Sequence, residues 1–107
     1  MLFDLDSNSD VCPIEEGYCL QSNGEDQNSG VVKLNSLDGN TKHAQASCLA
    51  KCKQQEGATG CEVIWDQHNR GCYVHTKSIA RGNGMAKHKC WVFSKCSKLK
   101  LLVYANP

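Results

Sequence analysis

Residues 48–77 read CLAKCKQQEGATGCEVIWDQHNRGCYVHTK, and the fold is decided by how this stretch is divided. Upstream, the run DGNTKHAQAS joins CLAKCKQQEG to give one helix over roughly residues 41–55. Asn40 or Thr41 can cap its start, because their side-chain oxygens accept the first free backbone N–H groups. Gly57 is placed to close it in a left-handed conformation. Ala44, Cys48, Leu49 and Cys52 share one helical face, with Lys42, Lys51, Lys53 and Gln54 around the rest. Downstream, CEVIWD (61–66) and CYVHTK (72–77) alternate with period two across QHNRG, which reads as a β-hairpin. Cys48 and Cys52 stand one turn apart with roughly parallel side chains, too far apart to bond each other and free to bond other elements. A helix lying on the hairpin satisfies all four cysteines, with nested pairing Cys52–Cys61 and Cys48–Cys72.

Outward from this centre, VVKLNSL (31–37) reads as a short strand whose Val32 and Leu34 can face inward. QSNGEDQNSG (21–30) is an exposed turn-rich loop. SIARGNGMAK (78–87) is a basic glycine-containing loop, HKCWVFSKC (88–96) a further strand, and KLKLLVY (98–104) a candidate strand beside residues 1–3. The other cysteines are Cys12, Cys19, Cys90 and Cys96. Eight cysteines allow about 105 connectivities, and spacing alone selects none. If the end strands run antiparallel, Cys12–Cys96 and Cys19–Cys90 follow.

The whole chain is 107 residues long with eight cysteines, and about a fifth of it is Leu, Ile, Val or Phe. One domain with a thin apolar core implies covalent staples and an oxidising compartment. No run approaches the roughly 18 apolar residues of a membrane span. The start, MLFDLDSNSD, lacks a basic region followed by an apolar stretch. A secreted chain would therefore have lost its leader or come from a larger precursor; otherwise the cysteines are not disulfides. Residues 1–40 hold eight acidic residues and one basic residue, Lys33, whereas 41–107 hold eleven basic and three acidic. Such asymmetry can present an anion-binding face on a chain of net charge +1, or it can be neutralised within the fold.

The pattern Cys48-x3-Cys52-x8-Cys61-x10-Cys72, with CYV at its last member and the closing CWVFSKC, resembles the PAN/Apple family over residues 12–96. The resemblance implies an α+β fold in which about five antiparallel strands cradle one helix, with the inner disulfides nested as above. Many members add one bond between terminal strands; this chain has two candidates, so Cys12 and Cys19 both compete for the N-terminal role. Family members are extracellular modules that bind proteins or carbohydrates and are not themselves enzymes. One branch, the N-terminal domain of hepatocyte growth factor, binds heparin through basic residues around the helix. Lys51, directly before the second helical cysteine, matches one of them; Lys53 lies nearby without matching.

The candidate ligand residues form two basic groups and one ring. Lys42, Lys51 and Lys53 lie on the helix, and Lys77, Arg81, Lys87, His88 and Lys89 flank or follow the basic loop. Together they suit sulfate or phosphate groups; the plain alternative is a solvated face. Tyr73 is the candidate for stacking on a sugar, while Trp65 and Trp91 read as core. Asp4, Asp6, Asn8, Asp10 and Glu15 imitate a calcium loop, but Ser9 occupies the place that needs glycine. A zinc site drawing on four cysteines, or on cysteines with His43, His68, His75 or His88, lacks a CxxC pair, and CxxxC is not a strong zinc spacing. No nucleophile motif, phosphate loop, nucleic-acid motif or cofactor signature occurs. The reading is a secreted or cell-surface recognition module without enzymatic activity, metal or cofactor. Its leading ligand is an extracellular carbohydrate, with sulfated glycans such as glycosaminoglycans first. The alternatives are a protein partner, including self-association through an exposed strand edge, and an intracellular zinc protein.

Overall fold

The structure is a computed structural model and describes residues 10–25 and 30–98. Among them, β1 (Asp10–Val11), β2 (Ile14–Glu16), β3 (Cys19–Leu20) and β4 (Val31–Asn35) precede α1 (Lys42–Lys53). There follow β5 (Gly60–Ile64), β6 (Gly71–His75), β7 (Arg81–Gly82), β8 (His88–Val92), a 3₁₀ turn (Phe93–Lys95) and β9 (Ser97–Lys98). Five strands form an antiparallel sheet in the order β2-β8-β5-β6-β4. The pairs β1-β9 and β3-β7 make two small ribbons. The protein is thus a small α+β domain with one helix on a five-stranded sheet.

Strand periodicity sorts the central residues into two faces. Cys61 lies opposite Val74 and Trp91, and Val63 opposite Cys72. These five join Cys48 and Cys52 of α1 in one buried cluster. On the other face Glu62 lies opposite Tyr73 and Cys90, and Ile64 opposite His88. Cys19, Ile79, Cys90 and Val92 form a second cluster there. The central strand is therefore covered on both sides, and all of β5 is buried.

All four expected disulfides are present: Cys12–Cys96, Cys19–Cys90, Cys48–Cys72 and Cys52–Cys61. The inner two clamp α1 to β6 and β5. The outer two follow from the antiparallel placement of the N-terminal and C-terminal strands, with Glu15 opposite Cys90.

Several local expectations need correction. Thr41 is the N-cap, its Oγ1 accepting from Ala44 N at 3.1 Å, but α1 ends at Lys53 with Gln54 as its cap. Gly57 is left-handed, at φ 76°, in the turn beyond. Leu34 packs on the α1 cluster, whereas Val32 stays 54% exposed because β4 is the outermost strand. The hairpin strands start one residue earlier and end two residues sooner than expected, since Asp66 Oδ1 captures His68 N and opens the turn. The strand expected over 88–96 gives way to a 3₁₀ turn after Val92. The basic loop contains β7, and Ser97–Lys98 pairs with β1. The suggested pairing of 98–104 with residues 1–3, residues 26–29 of the loop and Asp4, Asp6 and Asn8 of the calcium-like run lie outside the described residues. No helix among the described residues is long and apolar enough to cross a membrane.

Candidate functional site

The segment between β4 and α1 is shaped by its own short polar side chains. Asn35 Oδ1 accepts from Leu37 N at 3.1 Å, and Asp38 Oδ1 accepts from Asn40 N at 3.0 Å. Both are turns in which an Asn or Asp side chain stands in for a backbone acceptor. Gln45 Nε2 then donates to Gly39 O at 2.9 Å and holds the segment against the helix. Gly39 is buried directly over Val63; a Cβ there would run into Val63 Cγ2.

This arrangement leaves a cleft of about 370 Å³ between the segment, the first half of α1 and the hairpin. Its floor is Cys48, Val63, Cys72 and Ala44, and its rim is Asn35, Asp38, His43 and Ser47. Leu37, 69% exposed, forms an apolar lip. Acceptor, donor and mixed groups stand around an apolar base, which suits a ligand with several hydroxyl groups on a carbon ring.

The expected basic residues divide around the molecule. Lys42 and Lys51 are exposed and Lys53 half-buried on α1. His43, Ser47 and Lys51 follow one another at i, i+4, so Lys51 continues the stripe that borders the cleft. Lys89, on the strand flanking α1, is half-buried and its Nζ donates to Gln45 Oε1 at 3.2 Å. Lys87 is exposed at φ 65°, just before β8. Lys77 is exposed beyond the end of β6. Arg81 belongs to the β3-β7 ribbon, whose Cys19 packs on the sheet face away from α1. The structure thus places Lys51 one helical turn beyond Ser47 of the cleft rim and sends Arg81 to the opposite layer.

Two expected surface groups are withdrawn from solvent. His88 is 1% exposed, because strand alternation puts it on the same side as Cys90; its ring lies 4.1 Å from that of Tyr18. Burial lowers its pKa below the ordinary 6.5, against the opposing pull of Glu62 and Asp66. Tyr73 is half-buried on the face away from α1. Its hydroxyl donates to Asn69 O at 2.8 Å, and Lys33 Nζ sits 5.7 Å from its ring centre. It cannot share a ligand with the cleft. Trp91 is 3% exposed, and Trp65 packs on the α1 cluster, as core side chains.

The sequence reading missed a buried polar group on that same far face. Glu62 is 4% and His75 1% exposed. Glu62 Oε1 accepts from His75 Nε2 at 2.9 Å and from Cys19 N at 3.2 Å. His75 Nδ1 has no hydrogen-bond partner among the described residues. A charged residue directly after Cys61, inside an otherwise apolar strand, was the available signal. This pair is buried beneath β3 and does not line the cleft beside α1. Cysteine sulfurs also converge, as Cys48, Cys52, Cys61 and Cys72 lie within 4.8 Å of one another, but each is bonded in a disulfide.

No family model, curated protein or solved structure matches this chain.

Proposed function

We propose that the protein is an extracellular recognition module of the PAN/Apple type that binds carbohydrate without catalysing a reaction on it. The observation that carries this reading is the cleft beside α1, with its mixed polar rim, its apolar base and Lys51 on the adjoining helical turn. A ring with several hydroxyls can pair with Asn35, Asp38, His43 and Ser47, while a sulfate on a neighbouring sugar meets Lys51. Sulfated glycans are therefore the leading class, with the acidic Asp38 selecting against sulfate inside the cleft itself. The scaffold is tied by four disulfides, so little ordering cost falls on binding. Those disulfides also agree with an oxidising, extracellular setting.

Leu37 favours a second reading, in which a protein partner covers this exposed apolar lip. A glycan array at low and physiological salt separates the two. Signal on sulfated glycans that weakens with salt, drops on Lys51→Glu and survives Arg81→Glu supports the proposal. Equal losses for Lys51→Glu and Arg81→Glu would reduce it to non-specific charge. Absence of signal on every glycan makes the protein partner the leading reading.

A further inference from the structure

Four of the seven buried residues in the cluster beneath α1 are cysteines. Cys48 and Cys52 come from successive turns of α1, Cys61 from β5 and Cys72 from β6. Each is at most 2% exposed, and the four sulfurs lie within 4.8 Å of one another. Cys48 Sγ is 3.4 Å from Cys61 Sγ although they belong to different disulfides. Among the described residues no other set brings four such ligands together.

Four thiolates around zinc at about 2.3 Å form a tetrahedron with sulfur–sulfur edges of roughly 3.8 Å. The non-bonded separations already stand near that edge, since one is 3.4 Å and none exceeds 4.8 Å. Reduction frees the two bonded pairs to separate toward the same edge by side-chain torsions. Two ligands on one helical face and two on facing strands approach the centre from different directions.

We propose that in the reduced chain Cys48, Cys52, Cys61 and Cys72 form a closed tetrathiolate site for a soft divalent cation, zinc first. The metal then holds α1 on the hairpin, as the two disulfides do in the oxidised chain. The reduced chain exists before its disulfides form and after a reductant opens them. With a water-soluble phosphine, each disulfide gains two electrons. The phosphorus leaves as a phosphine oxide carrying the oxygen of one water, whose two protons go to the two sulfurs. Zinc then displaces four thiol protons into solvent and takes all four sulfurs, so no coordination position is left for a substrate. Thiolate ligands select zinc over calcium or magnesium. The site is independent of the glycan reading, which uses the oxidised chain and the cleft.

The test is to reduce the full chain with phosphine under argon, titrate it with cobalt(II), and then displace the cobalt with zinc. One equivalent of cobalt with tetrahedral thiolate absorption, displaced by one equivalent of zinc, is expected. Helical circular dichroism and dispersed amide resonances should return with the metal. The double variant C12S/C96S should behave as the parent, whereas Cys52→Ser and Cys72→Ser should each lose the absorption. Six-coordinate cobalt, less than one equivalent, or equal loss in C12S/C96S overturns the proposal. Metal uptake without the return of folded signals overturns it too, because any unfolded thiol-rich chain would do the same. The parent titration decides even if a single-cysteine variant cannot fold.

Discussion

Glu62 occupies the middle of the central strand, where its carboxylate meets two donors, Cys19 N–H and His75 Nε2. Glu62→Ala would leave both buried without an acceptor and is expected to cost about 3 kcal/mol or more. Glu62→Gln should cost less, because an amide oxygen can still accept from Cys19 N–H. Chemical denaturation of the oxidised variants at neutral pH checks the order. His88 gives a second prediction, with a defined sign. Its folded pKa lies below 6.5, so the unfolded chain takes up a proton first as pH falls. Its contribution to stability is complete above about 6.5 and is lost as pH drops from there through the folded value. Thermal midpoints should therefore fall between pH 7 and pH 5, and His88→Phe, which keeps a ring against Tyr18, should flatten that fall. An unchanged slope would show that His88 does not carry the fall. Glu15 acts in a lower window. Partial burial raises its carboxyl, but hydrogen bonds from Lys95 and Gly82 N and the charges of Lys95 and Arg81 outweigh this and hold it below 4.5. None of these polar contacts was legible along the chain. Alternation in CEVIWD and CYVHTK points Glu62 and His75 away from the helix, which is correct. That face is not solvent, however, because Cys19, 42 residues before Cys61, folds back over it.

At the scale of elements, α1 shows which signals carry. Its start was readable because capping is local chemistry: Thr41 accepts from a backbone N–H three residues on. Thr41→Ala should cost about 1 kcal/mol, read from the denaturation midpoint of the oxidised chain. Its buried side was only partly readable. Cys48 and Cys52 were expected there, but Gln45 is buried beside them and bridges Gly39 O to Lys89 Nζ. An apolar-periodicity argument passes over a glutamine. Gln45→Ala should release the segment that forms the rim of the cleft and weaken the proposed glycan binding more than it lowers the melting point; comparing affinity with thermal midpoint tests this. The cleft itself was invisible for a related reason: it is built from side-chain-to-backbone bonds in an irregular segment, not from a repeating pattern. The outer strand β4 bears on self-association. It has an irregularity between Lys33 and Asn35 and carries Lys33 on the edge, two features that discourage another strand from pairing there.

The whole molecule is held together by cross-links that double as its interior. Half-cystines make up more than half of the cluster under α1, and two of the four residues in the second cluster. This is why the cysteine count was the most informative feature of the sequence: with so few large apolar residues, the places where sulfurs meet are the places where elements pack. The helix-to-hairpin pairs could be argued from local geometry, since their partners are 24 and 9 residues apart. The outer pairs, 84 and 71 apart, depended on an antiparallel arrangement of the chain ends that no local signal supplied. The bonds should differ accordingly when removed. Cys12–Cys96 lies at the margin of the main cluster, with Cys12 only partly buried against it, so C12S/C96S is expected to lose about 2–4 kcal/mol while keeping the sheet, α1 and the cleft. The C48A/C72A pair loses the cross-link and two members of the main cluster together, leaving space beneath the cleft floor that Val63 and Ala44 cannot fill. Its melting point should fall further, and the proposed glycan binding should fall with it, although Cys48–Cys72 closes a much shorter loop than Cys12–Cys96. Chain entropy alone predicts the reverse order, since longer loops gain more from closure. Melting both oxidised variants side by side, after non-reducing peptide mapping of the remaining bonds, decides whether these disulfides act chiefly as cross-links or as core.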